Sequence, residues 1–252
     1  MLIIGGIVLF VQRKKYEGKL IDTGILYLKS LRMLLTHVQQ HRGLTNSYLN
    51  GNTLVESEIQ HLEDVVKKEI AAVTVIDDWI NQNAKWDSFL DHWSRLSENY
   101  KISNAEYNLK QHNVLITSLL YLIDDLAYAH QLRKLGLVDT TDTDWRYLLS
   151  IAEYIGQVRA LGMGAVSRGE CPRILRIQLN HLCAKIEVNI NRSWPETTLR
   201  DLRHFLSIVE HQVVIENPTM SPTDYFALAT GCIDHILLEF DRQIEKIQFQ
   251  RE

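Results

Sequence analysis

Residues 31–49 read LRMLLTHVQQHRGLTNSYL. Leu31, Leu35, Val38, Arg42, Thr45 and Leu49 follow one another at intervals of 4, 3, 4, 3 and 4, which on an α-helix gathers all six on one stripe. Such a stripe faces a core, so Arg42 stands where another leucine is expected. Residues 148–166, LLSIAEYIGQVRALGMGAV, repeat the pattern with Leu148, Ala152, Ile155, Arg159, Gly162 and Val166, and Arg159 falls 117 residues after Arg42. Each helix is thereby expected to turn one guanidinium inward, at a high cost unless an anion or a carboxylate meets it. No acid lies three or four positions from either arginine: Val38, Gln39, Thr45 and Asn46 flank the first, and Ile155, Gly156, Gly162 and Met163 the second. The partner is expected on another helix or as a bound ion.

Small residues crowd both positions: Gly43, Thr45 and Ser47 around the first, and Gly156, Ala160, Gly162, Gly164 and Ala165 around the second. A glycine inside a helix costs about 1 kcal/mol relative to alanine, so three on one helix need a reason. Close helix approach and room for a small ligand both supply one.

Working outward, the sequence predicts eight helices. The first spans about 16–50 and stops at Asn50-Gly51-Asn52, where glycine suits a left-handed cap. The second spans about 53–81, with Leu62, Val65, Val66, Ile70, Val73 and Ile76 inward, and the third 86–98, with Phe89, Trp93 and Leu96 inward. Ser103-Asn104-Ala105-Glu106 has the form of a capping box and opens a fourth, running to Leu135-Gly136. A polar turn at Asp139 to Asp144 opens the fifth, ending at Arg168-Gly169. A sixth follows Pro172 to about Arg192; a seventh runs from Trp194-Pro195-Glu196 to Glu216. An eighth is capped by Ser221-Pro222-Thr223-Asp224 and reaches nearly to the end. Ser103-x-x-Glu106-Tyr107 and Ser221-x-x-Asp224-Tyr225 are 118 residues apart, within one residue of the arginine offset. The expected fold is all-α, two antiparallel four-helix bundles from an internal duplication, with halves at about 16–136 and 140–252.

Hydrophobic residues make up 46% of the 252 positions, ample for a core. A net charge of -4, with basic residues scattered among acids, argues against a nucleic-acid partner. Cys171, Cys183 and Cys232 form no C-x-x-C pair and read as core residues on helices. Residues 1–12 read as a short hydrophobic anchor: Leu2 to Val11 is apolar and would rise only about 15 Å as a helix, half of what a bilayer core requires. The basic Arg13-Lys14-Lys15 that follows would hold the rest on the cytoplasmic side of a membrane. Glu58-Ile59-Gln60-His61 is a lone E-x-x-H half-site without the second copy a di-iron bundle needs. No phosphate loop, nucleophile elbow or metal-ligand spacing occurs, so neither catalysis nor a cofactor nor a metal is expected.

Three segments together resemble a known family: Arg42-Gly43-Leu44, Glu106-Tyr107-Asn108, and Glu153-x-x-x-Gln157-x-Arg159-Ala160-Leu161. They look like the nitrate- and nitrite-sensing domain of bacterial signalling proteins, over about Leu26 to Phe240. That resemblance implies two helical bundles, non-catalytic sensing of nitrate or nitrite, and Arg42 and Arg159 as anion ligands; the small residues read beside them add Gly43, Thr45 and Gly162 to the expected ligand site. A homodimer, a downstream signalling partner, and a place in the bacterial cytoplasm or on the cytoplasmic side of the inner membrane are expected alongside. Guanidinium offers a planar fork of donors to a planar oxyanion, and an anion between two such groups would reverse their mutual repulsion. A helical adaptor whose arginines bind a partner's carboxylates stays open as the alternative, and a degenerate metal-carboxylate bundle as a third.

Overall fold

The computed structural model describes residues 2–132 and 145–249, with side chains from Phe10 onward. Every regular element among them is helical, and the chain divides into two compact units, Met1–Asp142 and Thr143–Glu252.

In the first unit, α1 (Leu2–Leu49) is followed by α2 (Glu56–Thr74), a single turn α3 (Asp78–Asn81), α4 (Ala84–Asn99) and α5 (Ala105–Ala129). α1 begins ahead of the expected Tyr16, so Leu2 to Val11 and the first arginine motif lie on one continuous helix about 72 Å long. No helix among the described residues is long and apolar enough to cross a membrane. The leucine stripe is buried as its spacing predicts: Leu31, Leu35, Val38, Arg42 and Thr45 are all inside, and Leu49 is half-buried at the frayed end. α1 ends on a Schellman turn in which Gly51 takes φ +103°, its N–H donates to the Tyr48 carbonyl, and the Asn52 N–H donates to that of Ser47.

Contacts along α1 fix its neighbours' directions. Tyr27, His37 and His41 meet Asp77, Glu69 and Glu63 in turn, so α2 runs antiparallel; Tyr27, His41 and Thr45 meet His130, His112 and Asn108, so α5 does too. The expected single helix over 53–81 is instead broken after Thr74. Asp77 caps α3 by accepting the Trp79 N–H at 2.8 Å, and it also accepts the Tyr27 hydroxyl at 2.7 Å. A buried tyrosine that needs an acceptor thus captures the residue that would have continued the helix. The α5 cap differs as well: Asn104, not Ser103, accepts the Tyr107 N–H. α5 stops at Ala129, and the expected stop at Leu135-Gly136 and the turn at Asp139 to Asp144 lie outside the described residues.

The second unit holds α6 (Trp145–Arg168), α7 (Arg173–Val188), α8 (Glu196–Ile208) and α9 (Pro222–Phe249). α6 packs on α9 in antiparallel sense, Trp145 against Phe240 at one end and Gly162 against Tyr225 at the other. Gly169, at φ +69°, closes α6 as Gly51 closes α1, with the Glu170 N–H on the Ala165 carbonyl. The seventh predicted helix is shorter than expected. α8 ends at Ile208 and passes into a wider π turn over Val209–Val213, where the Val214 N–H reaches the Val209 carbonyl five residues back. Cys171 is buried but sits in the connection between α6 and α7 rather than on a helix, while Cys183 and Cys232 are helical, their thiols pushed up to about 12 by burial.

The helix starts repeat. α2 and α7 begin at Glu56 and Arg173, and α5 and α9 at Ala105 and Pro222, each pair 117 residues apart.

Candidate functional site

In the first unit Arg42 is 1% exposed, and its Nη1 donates to Asn113 Oδ1 on α5 at 2.7 Å. An amide oxygen satisfies a donor without cancelling the charge, so this contact orients the guanidinium rather than neutralising it. The Thr45 hydroxyl donates back to the His41 carbonyl at 2.8 Å and accepts the Asn108 side-chain N–H at 2.9 Å, clamping α1 to the start of α5. Asn108 Oδ1 is buried and accepts no hydrogen bond from the described residues. Gly43 is half-buried one position after the arginine. Three candidate residues of the first motif, Arg42, Gly43 and Thr45, therefore gather where α1 meets the N-terminal half of α5.

In the second unit Arg159 is half-buried. Its Nη1 donates to Thr230 Oγ1 on α9 at 2.8 Å, and its guanidinium carbon lies 5.0 Å from the centre of the Phe226 ring. This is a cation–π contact that holds the plane of the group. Gly162 is buried because the Tyr225 hydroxyl occupies the place its side chain would take, within 2.1 Å of an ideal Cβ. That hydroxyl donates to the Val158 carbonyl at 2.7 Å, and burial pushes its ionisation far above the ordinary range for tyrosine. One turn back, the Gln157 amide donates to Glu153 Oε1 at 2.7 Å.

The two arginine contacts have the same form. Arg42 to Asn113 and Arg159 to Thr230 each span 71 residues, and Thr45 to Asn108 spans 63, as does Gly162 to Tyr225. Sequence reading found the arginines but not their acceptors. Asn113 and Thr230 lie on the half-polar sides of α5 and α9, and only the shared separation of 71, seen once the first pair is known, would have pointed to the second.

The E-x-x-H half-site and the other helical acids and histidines do not assemble into a metal-type cluster. Glu58 and His61 are both exposed, Asp125 pairs with Lys85, and His235 pairs with Asp201 at 2.8 Å. Among the described residues no group of three His, Cys, Asp or Glu side chains could hold a metal ion.

No family model matches the sequence, and no curated protein matches it either. Among solved structures the chain is similar to one described as the structure of the NasR transcription antiterminator. The TM-score is 0.70 and the identity 14%, over 98% of this chain and 74% of that one. At that identity the likeness establishes the fold: this all-helical chain is built like most of the length of the NasR structure.

Proposed function

We propose that the chain is a non-catalytic sensor of a small oxyanion, nitrate or nitrite, working in bacterial signal transduction. Arg42 and Arg159 are its anion ligands, with Gly43 and Thr45 beside the first and Gly162 letting Tyr225 pack close on the turn after the second. The observation that carries this reading is the matched pair of guanidinium contacts: each arginine sits on a core stripe and is oriented by a neutral side-chain oxygen 71 residues on. Guanidinium presents a planar fork of donors that suits a planar oxyanion, and these two contacts orient that fork in the same way in each unit. The motif resemblance and the likeness in fold to NasR support the same reading. The 117-residue recurrence of helix starts, arginines and their acceptors supports an origin of the two units by duplication of one antiparallel four-helix bundle.

Two partner surfaces accompany this reading. Tyr107, Val114, Tyr121 and Tyr128 are exposed on α5 at intervals of seven, one face of the helix over three heptads. Four large side chains exposed on one helix face suit pairing with the same face of a second copy, and the stripe is assigned to a homodimer. Leu2 to Val11 with Arg13, Lys14 and Lys15 forms an apolar-then-basic segment suited to peripheral attachment at an anionic membrane surface.

The test is thermal unfolding in a panel of sodium salts at matched ionic strength. Nitrate and nitrite, at about 100 times their dissociation constants, are expected to stabilise by about 2.7 kcal/mol, a rise of roughly 5–10 °C for a chain of this size. Chloride and sulfate are expected to give none of it. A flat panel would overturn the sensor in favour of a helical adaptor.

A further inference from the structure

The seam between α1 and α5 holds ionisable groups that the anion reading does not use. His41 is 0% exposed; its Nδ1 lies 2.8 Å from His112 Nε2, and its Nε2 lies 3.2 Å from Glu63 Oε1 on α2. His112 Nδ1 in turn lies 2.9 Å from the Asn108 carbonyl oxygen. Counting donors along this chain fixes its protons. A backbone carbonyl and a carboxylate both accept only, so the two ends each require a hydrogen from an imidazole. His112 gives its Nδ1–H to Asn108. Burial first, then the neighbouring His41, pushes His112 well below the ordinary histidine range, so it is neutral and its Nε2 is a lone pair. That lone pair takes the Nδ1–H of His41, and Glu63 takes the Nε2–H. Satisfying both ends at once takes three N–H hydrogens on two rings, one more than two neutral imidazoles hold, so the chain of contacts has a place for one added proton at His41, beside Glu63.

The surroundings are accounted for. Glu63 faces His41 from α2, His112 from α5, Trp93 from α4, and Tyr100 from the turn after α4, the last two edge-on to the His41 ring. His92 on α4 bonds Gln111 at 3.0 Å, Lys101 pairs with Glu56, and Arg42 and Tyr48 share α1 with His41.

The second unit indicates that the arginine contact does not need this pair. The residues 117 positions after His41 and His112 are Val158 and Ala229, both fully buried, and Arg159 still holds Thr230 as Arg42 holds Asn113. One half of the molecule thus carries a buried polar chain where the other makes do with two hydrocarbons.

We propose that Glu63, His41 and His112 form a proton-binding site that sets the anion response of the first unit. With the proton in place, α1, α2 and α5 are tied together and a second positive charge stands beside Arg42. Without it one link must fail: either the Nε2 lone pair of His41 opposes the Glu63 carboxylate, or its Nδ1 lone pair opposes that of His112 Nε2. The anion arm of this inference rests on the sensor reading above; the proton arm does not.

The experiment uses the full chain labelled with ¹⁵N-histidine, with ring nitrogens followed from about pH 5.5 to 8.5 and His41 assigned by His41→Gln. His41 is expected to carry hydrogen on both nitrogens at the acid end, and His112 to stay in the neutral Nδ1–H form throughout. A His41 with one bare nitrogen at every pH would overturn the proposal whatever nitrate does. Nitrate titrations over the same range are expected to weaken by about tenfold as pH rises. His41→Val with His112→Ala, which copies the second unit, is expected to abolish that dependence while nitrate still binds. Glu63→Gln is expected to do the same without enlarging or emptying the core, because its amide can donate to a neutral His41. His92→Gln is expected to leave the dependence intact. Retention of the full pH dependence in either His41/His112 or Glu63 variant would overturn the coupling. Failure of nitrate to bind the unaltered chain at any pH, with the His41 signals as expected, would remove the sensor reading and leave the proton site standing.

Discussion

Gly162 illustrates how a single missing side chain positions a functional group. Tyr225 is fully buried and cannot swing away, so a methyl at 162, which would meet its hydroxyl at 2.1 Å and its ring at 2.5 Å, has to displace α9 or break the bond to the Val158 carbonyl. Gly162→Ala is therefore expected to lower stability by about 2–3 kcal/mol, read as a fall of roughly 4–12 °C in melting temperature. Gly231 is the contrast. It lies within α9 with nothing inside 4 Å of where its Cβ would be, so Gly231→Ala is expected to stabilise by up to about 1 kcal/mol in the same measurement. The sequence marked Gly162 as unusual in a helix and offered close approach or ligand space as reasons. Geometry gives Gly162 the first through Tyr225, a contact that periodicity could not reveal because it joins residues 63 apart on different helices. Arg42 and Arg159 were legible for the opposite reason: a charge in a leucine register is visible from its own helix alone.

At the scale of elements, Asp77 decides where α2 stops and α3 starts. Burial raises the energy of its charged form, but the Tyr27 hydroxyl, the Trp79 N–H and His130, whose Nε2 is 3.6 Å away, together hold its carboxyl below the usual range. A carboxyl depressed by folding stabilises the native state above its unfolded value, near pH 4, and that contribution is lost as pH falls through the native value. Asp77→Ala is expected to cost about 1–2 kcal/mol at neutral pH, from the cap and the Tyr27 bond. It should also flatten the acid limb of a stability-against-pH curve; an unchanged acid limb would show that Asp77 carries none of it. Helix existence was legible from spacing nearly throughout, whereas this break was not, because Val73, Ile76 and Ile80 continue an apolar rhythm across it. The caps of α5 and α9 give a subtler case. The sequence pairs Ser103 with Ser221 at 118 residues, yet the residues that cap are Asn104 and Ser221, at 117, the offset of the arginines. Serine at 103 is the better sequence signature, but its hydroxyl turns to the Asn104 carbonyl instead.

For the whole molecule, the α5 stripe gives an oligomeric expectation. Four large side chains on one helix face bury less area than a permanent dimer needs, so the association is expected to be reversible and concentration-dependent. Sedimentation velocity over a concentration series should show it, with Tyr121→Lys shifting the chain to monomer. A concentration-independent monomer would remove the stripe from the account. The continuity of α1 back to Leu2 was not legible, because the charged run at Arg13 interrupts the apolar pattern without interrupting the backbone. The central claim, that each arginine is an anion ligand, is tested most directly by isothermal titration of nitrate into the unaltered chain and into Arg42→Gln and Arg159→Gln, each shown folded by circular dichroism. Saturable binding to the unaltered chain, weakened at least about tenfold in each variant, is the expected result; binding of equal strength to all three would contradict it.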